Sequence, residues 1–173
     1  MMTRRRHDPL AHPEELIRRV YSYVAYVVGD GADAEDITST TIERAIRYRA
    51  SYQPDKGEPV AWLLGIARRC IADRLGEPEA LPDEEIDEQP DVRGGSFDDV
   101  DRLTVQAAVA ALSLRERELV ALRHGADLPA KQIAELVGLS TNAVEVALHR
   151  VHARLRAELA PHFAPEARRA DAS

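Results

Sequence analysis

The sequence predicts an all-α protein of two small helical domains joined by a flexible acidic linker, the C-terminal one a helix-turn-helix. Three observations lead there. The 173 residues are rich in Ala, Leu, Val and Arg with short β-branched runs, a composition that favours helix. Apolar residues recur at helical spacing on both sides of one interruption, without the alternation of strands. That interruption, "GEPEALPDEEIDEQPDVRGGSFDDVD" over residues 76–101, holds eleven acids, one base, three prolines and three glycines. Its few apolar residues cannot offset its ordering entropy, so it reads as a linker.

The first domain covers residues 10–75. Pro13, Glu14 and Glu15 suit the first turn of a helix, where proline and acids are favoured. Leu16, Val20, Tyr23, Val24 and Val27 follow as an apolar stripe. "GDGAD" breaks it, and Asp33 is placed to cap the next helix. On that helix Ile37, Thr41, Ile42, Ala45 and Tyr48 gather on one side, with Asp36, Thr40, Glu43 and Arg47 on the other. Periodicity alone leaves this polar side as either a solvated face or a contact surface. The loop "RASYQPDKGEP" precedes "VAWLLGIARRCIADRL", where Leu63, Leu64, Ile66, Ala67, Cys70, Ile71 and Leu75 leave little polar circumference.

The second domain covers residues 102–160. "LTVQAAVAAL" reads as a helix with Val105, Val109 and Leu112 facing inward. Ser113 and Glu116 form a capping box for the next, which Gly125 closes. Gly138 suits a left-handed turn, and Ser140 the N-cap of the last helix. There Leu148, Val151 and Leu155 fall within about 40° of Val144 and form the core stripe with it. A short helix, a glycine turn and a capped helix is the plan of a DNA-reading helix-turn-helix. Its outward face holds Asn142, Glu145, Val146, His149 and Arg150. Asn pairs bidentately with adenine, Glu accepts from the cytosine amino group, and Val touches a thymine methyl. Lys131, Arg150, Arg154 and Arg156 are the phosphate candidates, too few for tight binding by this domain alone. A helix used only for packing is the competing reading. Residues 161–173 read as a frayed tail.

Charge separates in the same way. The net −7 belongs to the linker, since residues 1–75 carry twelve bases against eleven acids and residues 102–173 carry ten against eight. Cys70 is the only cysteine, which excludes an internal disulfide and reads as a buried thiol. His149 and His152 lie three apart, but no second pair completes a metal site. No phosphate loop or triad order appears, so no catalytic residue, metal or cofactor is assigned. No apolar run reaches the roughly 18 residues of a membrane span. The basic start "MMTRRRHDPLAHPEEL" lacks a signal peptide's apolar stretch, so a cytoplasmic protein is expected.

"LSLRERELVALRHGADLPAKQIAELVGLSTNAVEVALHRVHARLRAEL" resembles region four of bacterial RNA polymerase sigma factors of the extracytoplasmic-function (group four) type. "GDGADAEDITSTTIERAIRYRASYQPDKGEPVAWLLGIARRCIADRL" independently resembles region two of the same group. The order is right, and the quoted matches cover just over half of the chain. The resemblance implies a sigma factor, not an enzyme, that binds core RNA polymerase and directs promoter-specific initiation. In region two it implies polymerase docking through Asp36, Ser39, Thr40, Glu43 and Arg47, though Ser39-Thr40 stands where the family often has Gln-Glu. It implies minus-ten recognition and melting by Tyr48, Tyr52 and Trp62 as stacking surfaces, with Lys56, Arg68, Arg69 and Arg74 as a positive track. Trp62 reads equally well as a core aromatic. Leu75-Gly76-Glu77 follows Arg74 where many relatives carry arginines.

In region four the resemblance implies minus-thirty-five recognition by Lys131, Thr141, Asn142, Glu145, Val146, His149, Arg150 and Arg154. Relatives commonly carry Lys at the place of Glu145. The implied partners are core RNA polymerase, promoter DNA and an anti-sigma protein that clamps the two domains. The linker would thread the polymerase as a polyanion, act as a plain tether, or fold over the basic faces of the free protein. A stand-alone helix-turn-helix regulator is the alternative, but it has no use for "AED" and "AWLLGIAR" in the first half.

Overall fold

The structure, a computed structural model, describes residues 8–76 and 97–163. Helix α1 (Pro13–Val28) starts with proline and two acids in its first turn and buries Leu16, Val20, Tyr23, Val24 and Val27, the predicted stripe. Helix α2 (Ala32–Arg47) begins one residue before Asp33, with Gly31 at the cap. Asp33 is therefore not the N-cap; it lies in the first turn, where a carboxylate faces the positive end of the helix. Two short 3₁₀ turns, Arg49–Ser51 and Pro54–Lys56, lead to α3 (Pro59–Leu75). Helix α3 buries Val60, Leu63, Leu64, Ile66, Ala67, Cys70 and Ile71. Tyr48 and Leu75, read as inward, are 53% and 46% exposed, because each sits at a helix end beyond the last packed turn.

Helix α4 (Phe97–Ala110) starts inside the stretch read as linker, which therefore ends before residue 97 rather than at residue 101. The linker up to residue 96 and the tail from residue 164 lie outside the described residues, while helix α7 extends over Pro161 to Phe163. Val109 and Leu112 pack with Val120 and Val151, whereas Val105, one turn earlier, stays exposed. Ser113 Oγ accepts from the Glu116 N–H, and the Glu116 carboxylate accepts from the Ser113 N–H at 3.0 Å. This box starts α5 (Leu114–Val120), which continues into a wider π turn, Ala121–Gly125. Helices α6 (Ala130–Val137) and α7 (Thr141–Phe163) complete the fold, and no strand occurs among the described residues.

The two halves do not keep separate cores. One buried cluster runs from Leu16, Val20, Val24 and Leu64 of the first domain to Leu119, Leu122, Ile133 and Val144 of the second. Helix α1 lies against α5 and the π turn, and α3 touches α6. Domains of this size bury only about 60% of their surface, and here each completes the other. Gly125 permits the closest approach: a Cβ there would meet the Ser22 carbonyl group and the Tyr23 nitrogen at 3.0 Å. The helix-closing glycine of the sequence is also a backbone-to-backbone contact.

Candidate nucleic-acid and partner interfaces

The reading helix is set by its turn. Gly138 ends α6 in the left-handed conformation, at φ 73°, and Ser140 Oγ accepts from the Ala143 N–H at 3.1 Å. Fully buried Ile133 and Val144 lock α6 to α7. The consequence is one exposed face carrying Thr141, Asn142, Glu145, Val146, His149 and Arg150. Val146 is 41% exposed, an apolar side chain that the fold leaves in water. Lys131 is exposed on α6. Arg154 makes a two-pronged pair with Glu116, both contacts at 3.0 Å. That pair ties α7 to α5 and occupies the guanidinium proposed for phosphate.

Helix α7 also meets the π turn through His124 and His152, whose Nε2 atoms lie 2.8 Å apart. His152 thus pairs with His124 rather than with His149. Burial lowers the pKa of both rings, with Arg123 adding to the effect at His124 and the His124 ring and Arg156 at His152.

In the first domain Asp36, Ser39, Glu43 and Arg47 are exposed along α2, with Thr40 half-buried among them. The polar side is thus an open ridge. Tyr52 and Trp62 are half-buried, their rings 5.6 Å apart and tilted by 57°, and the Tyr52 hydroxyl donates to the Gly57 carbonyl at 3.0 Å. Trp62 packs on the core at one side and lines an open cleft at the other. Lys56, Arg69 and Arg74 are exposed; Arg74 pairs with Asp33, and Arg44 with Asp73 at 2.9 Å, both joining α3 to α2.

Arg68 faces the other domain. Its Nε donates to Glu118 at 2.6 Å and its Nη1 to the Leu136 carbonyl at 2.8 Å. Glu118 is 2% exposed, and the Tyr23 hydroxyl approaches the same carboxylate oxygen at 3.5 Å. Burial first, then the Glu118 charge, pushes the Tyr23 phenol well above its usual range. Arg19 donates to the Ala126 carbonyl at 2.8 Å, and Arg117 to the Val27 carbonyl at 3.0 Å. Sequence reasoning did not single out Glu118, Arg19 or Arg117. The available signal was position: Glu118 is four residues from both Leu114 and Leu122, on the apolar side of its helix.

A packed helical body whose second half presents a glycine-turned, serine-capped helix is of the helix-turn-helix class. The comparisons give the family. Residues 14–77 match the family model of sigma-70 region 2, and residues 102–155 that of sigma-70 region 4. The chain is 31% identical over 164 residues to the sigma factor ShbA of Streptomyces griseus, covering 87% of this chain and 85% of that one. It is 32% identical to SigD of Mycobacterium tuberculosis, covering 83% and 71%. With BldN of Streptomyces coelicolor it shares 29% identity, and it spans only 56% of that longer relative. The fold is similar to that of the sigma factor RpoE from Bartonella quintana, solved with the anti-sigma factor NepR. That likeness has a TM-score of 0.60 at 18% identity and covers 83% of this chain and 91% of that one. The chain belongs to the extracytoplasmic-function sigma factors of bacterial RNA polymerase.

Proposed function

We propose that this chain acts without catalysis of its own, in the cytoplasm, by docking on core RNA polymerase through the α2 ridge. The observation that carries this is the ridge itself: Asp36, Ser39, Glu43 and Arg47 stand exposed in a row beside a well-packed helix side. Charged and hydrogen-bonding surfaces of this kind steer encounter and fix register. Tyr48, Tyr52, Lys56 and Trp62, with Arg69 and Arg74, form the track for the unpaired minus-ten strand. Arg68 joins that track when the domains part. The exposed face of α7, with Lys131, reads the minus-thirty-five element, and Glu145 gives it a base preference of its own.

An anti-sigma protein is the natural negative partner, given that RpoE of Bartonella quintana was solved with one. The test is gel filtration of the chain with core polymerase, repeated with Asp36→Ala and Glu43→Ala together. Co-elution weakened by the double change supports docking through the ridge. A folded, unmodified chain that fails to co-elute at low salt removes the reading.

A further inference from the structure

We propose that His124 and His152 form a transition-metal site that bridges the π turn and α7 through their two Nε2 atoms. The ion it fits is a divalent cation that prefers nitrogen donors: copper, nickel or zinc. Neither ring is among the residues assigned to polymerase or to DNA.

The sequence sets His149 and His152 three apart and offers no second pair, but folding supplies a different partner. The π turn carries His124 to the side of α7, where its Nε2 lies 2.8 Å from that of His152. Turns of this wider kind are rare and occur often at functional sites. An imidazole nitrogen binds a metal such as zinc at about 2.0–2.1 Å. Two such nitrogens on one ion stand about 2.9 Å apart at a right angle and about 3.3 Å apart at the tetrahedral angle. The pair therefore needs to open by only about 0.1–0.5 Å.

The ring centroids are 4.9 Å apart and the rings are tilted by 60°. They meet nearly head-on, so each swings by roughly 35–45° to aim its lone pair at a shared ion. His124 is exposed and His152 half-buried, which leaves room for that swing. No cluster of three His, Cys, Asp or Glu that could hold a metal occurs among the described residues, so water supplies the remaining ligands. Without metal, one Nε2–H donates to the other Nε2; with metal, both rings carry their proton on Nδ1. Burial holds both rings below the ordinary histidine pKa, so neither has to release a proton at neutral pH.

The surrounding charge selects the ion. Arg123 and Arg156 repel a dication, and Asp127 near His124 offsets part of that repulsion. Magnesium, which is held by charge and oxygen donors, gains little from two neutral nitrogens in such a field. Copper, nickel and zinc bind imidazole strongly enough to overcome it, with copper the tightest. A bound ion ties the end of α5 to the middle of α7.

The experiment uses the untagged full chain, freed of metal by a chelator and titrated by calorimetry with copper, nickel, zinc or magnesium chloride. We expect one ion per chain, copper tightest, and no binding of magnesium. His124→Gln and His152→Gln each leave one imidazole of the bridge and weaken binding by roughly tenfold or more, since even outer-shell partners are worth that much. His149→Gln leaves it unchanged. Electron paramagnetic resonance of the copper form shows coupling to two imidazole nitrogens in the parent chain and to one in either bridge variant. No binding to the parent chain, or equal binding by the parent and both bridge variants, overturns the proposal. So does loss in His149→Gln and His152→Gln with His124→Gln unaffected, which puts the ion along α7 alone. Where a variant loses helix content by circular dichroism, the parent chain decides by itself: a single coupled nitrogen there overturns the bridge.

Discussion

Ser140 separates the structural role of the reading helix from its contact with DNA. Its hydroxyl accepts from the Ala143 N–H at 3.1 Å and satisfies one of the free donors at the start of α7. Ser140→Ala removes that acceptor at a cost of about 1 kcal/mol, within the usual range for N-caps. In a body of this size that lowers the melting temperature by about 3 °C. Thr141 and Asn142 occupy the frayed turn, so minus-thirty-five affinity falls too. Ser140→Asp restores the cap, and its charge favours the helix N-terminus, so stability returns to within about 0.5 kcal/mol of the parent. The same carboxylate repels phosphate, so DNA affinity stays low or falls further. Calorimetry and anisotropy with promoter duplex in polymerase complex measure the two quantities. An Asp variant that recovers both stability and affinity would show that the N-terminus of α7 does not approach DNA. An Ala variant with unchanged melting would refute the cap.

Val144→Ala empties a fully buried site between α6 and α7 and should cost about 2 kcal/mol in chemical denaturation, between the ranges for Ile→Val and Leu→Ala. The His124 and His152 pKa values are lowered by folding, so their contribution is present above pH about 6.5 and is lost as pH falls. His152→Gln should flatten that acid limb in a melting-temperature profile taken from mildly alkaline to mildly acidic pH. Removing Lys131 or Arg150 should each lower the salt dependence of duplex binding, by about 0.9 in the log–log slope for each phosphate left unneutralised.

Much of the fold was legible because local rules and packing agree. The α1 stripe, the Ser113–Glu116 box and the Gly138–Ser140 turn each follow from spacing and backbone chemistry, and the structure keeps all three. The candidate contact residues were legible as exposed faces, since a polar side opposite a clear apolar stripe has only solvent or a partner to meet. What was hidden is the contact between the domains. Each stripe looks complete in its own half, and nothing in the periodicity says that Leu64 and Leu122 share a cluster. Arg68 was assigned by charge to a track on the surface, yet it follows Leu64 by four residues and so sits on the packed side. Charge attracts the eye to solvent; position relative to the apolar stripe was the better guide.

The shared core changes how stability and function relate in this chain. Two independent domains of roughly 60–70 residues would melt separately, each near its own low limit. Here Tyr23 of α1 is 1% exposed with its hydroxyl against Glu118 of α5, and Leu122 is fully buried in the same cluster, near α1. Opening therefore exposes core side chains of both domains, and neither keeps its full stability alone. The free chain should unfold in one cooperative transition by calorimetry, with equal calorimetric and van't Hoff enthalpies. Gly125→Val should split or broaden that transition if it parts the domains and leaves each folded. Two separate transitions in the parent chain would mean that the common core contributes little. A single transition also explains how a buried ion pair persists at such a joint: the apolar contact around it supplies the stability, and the Arg68–Glu118 pair fixes which two faces meet.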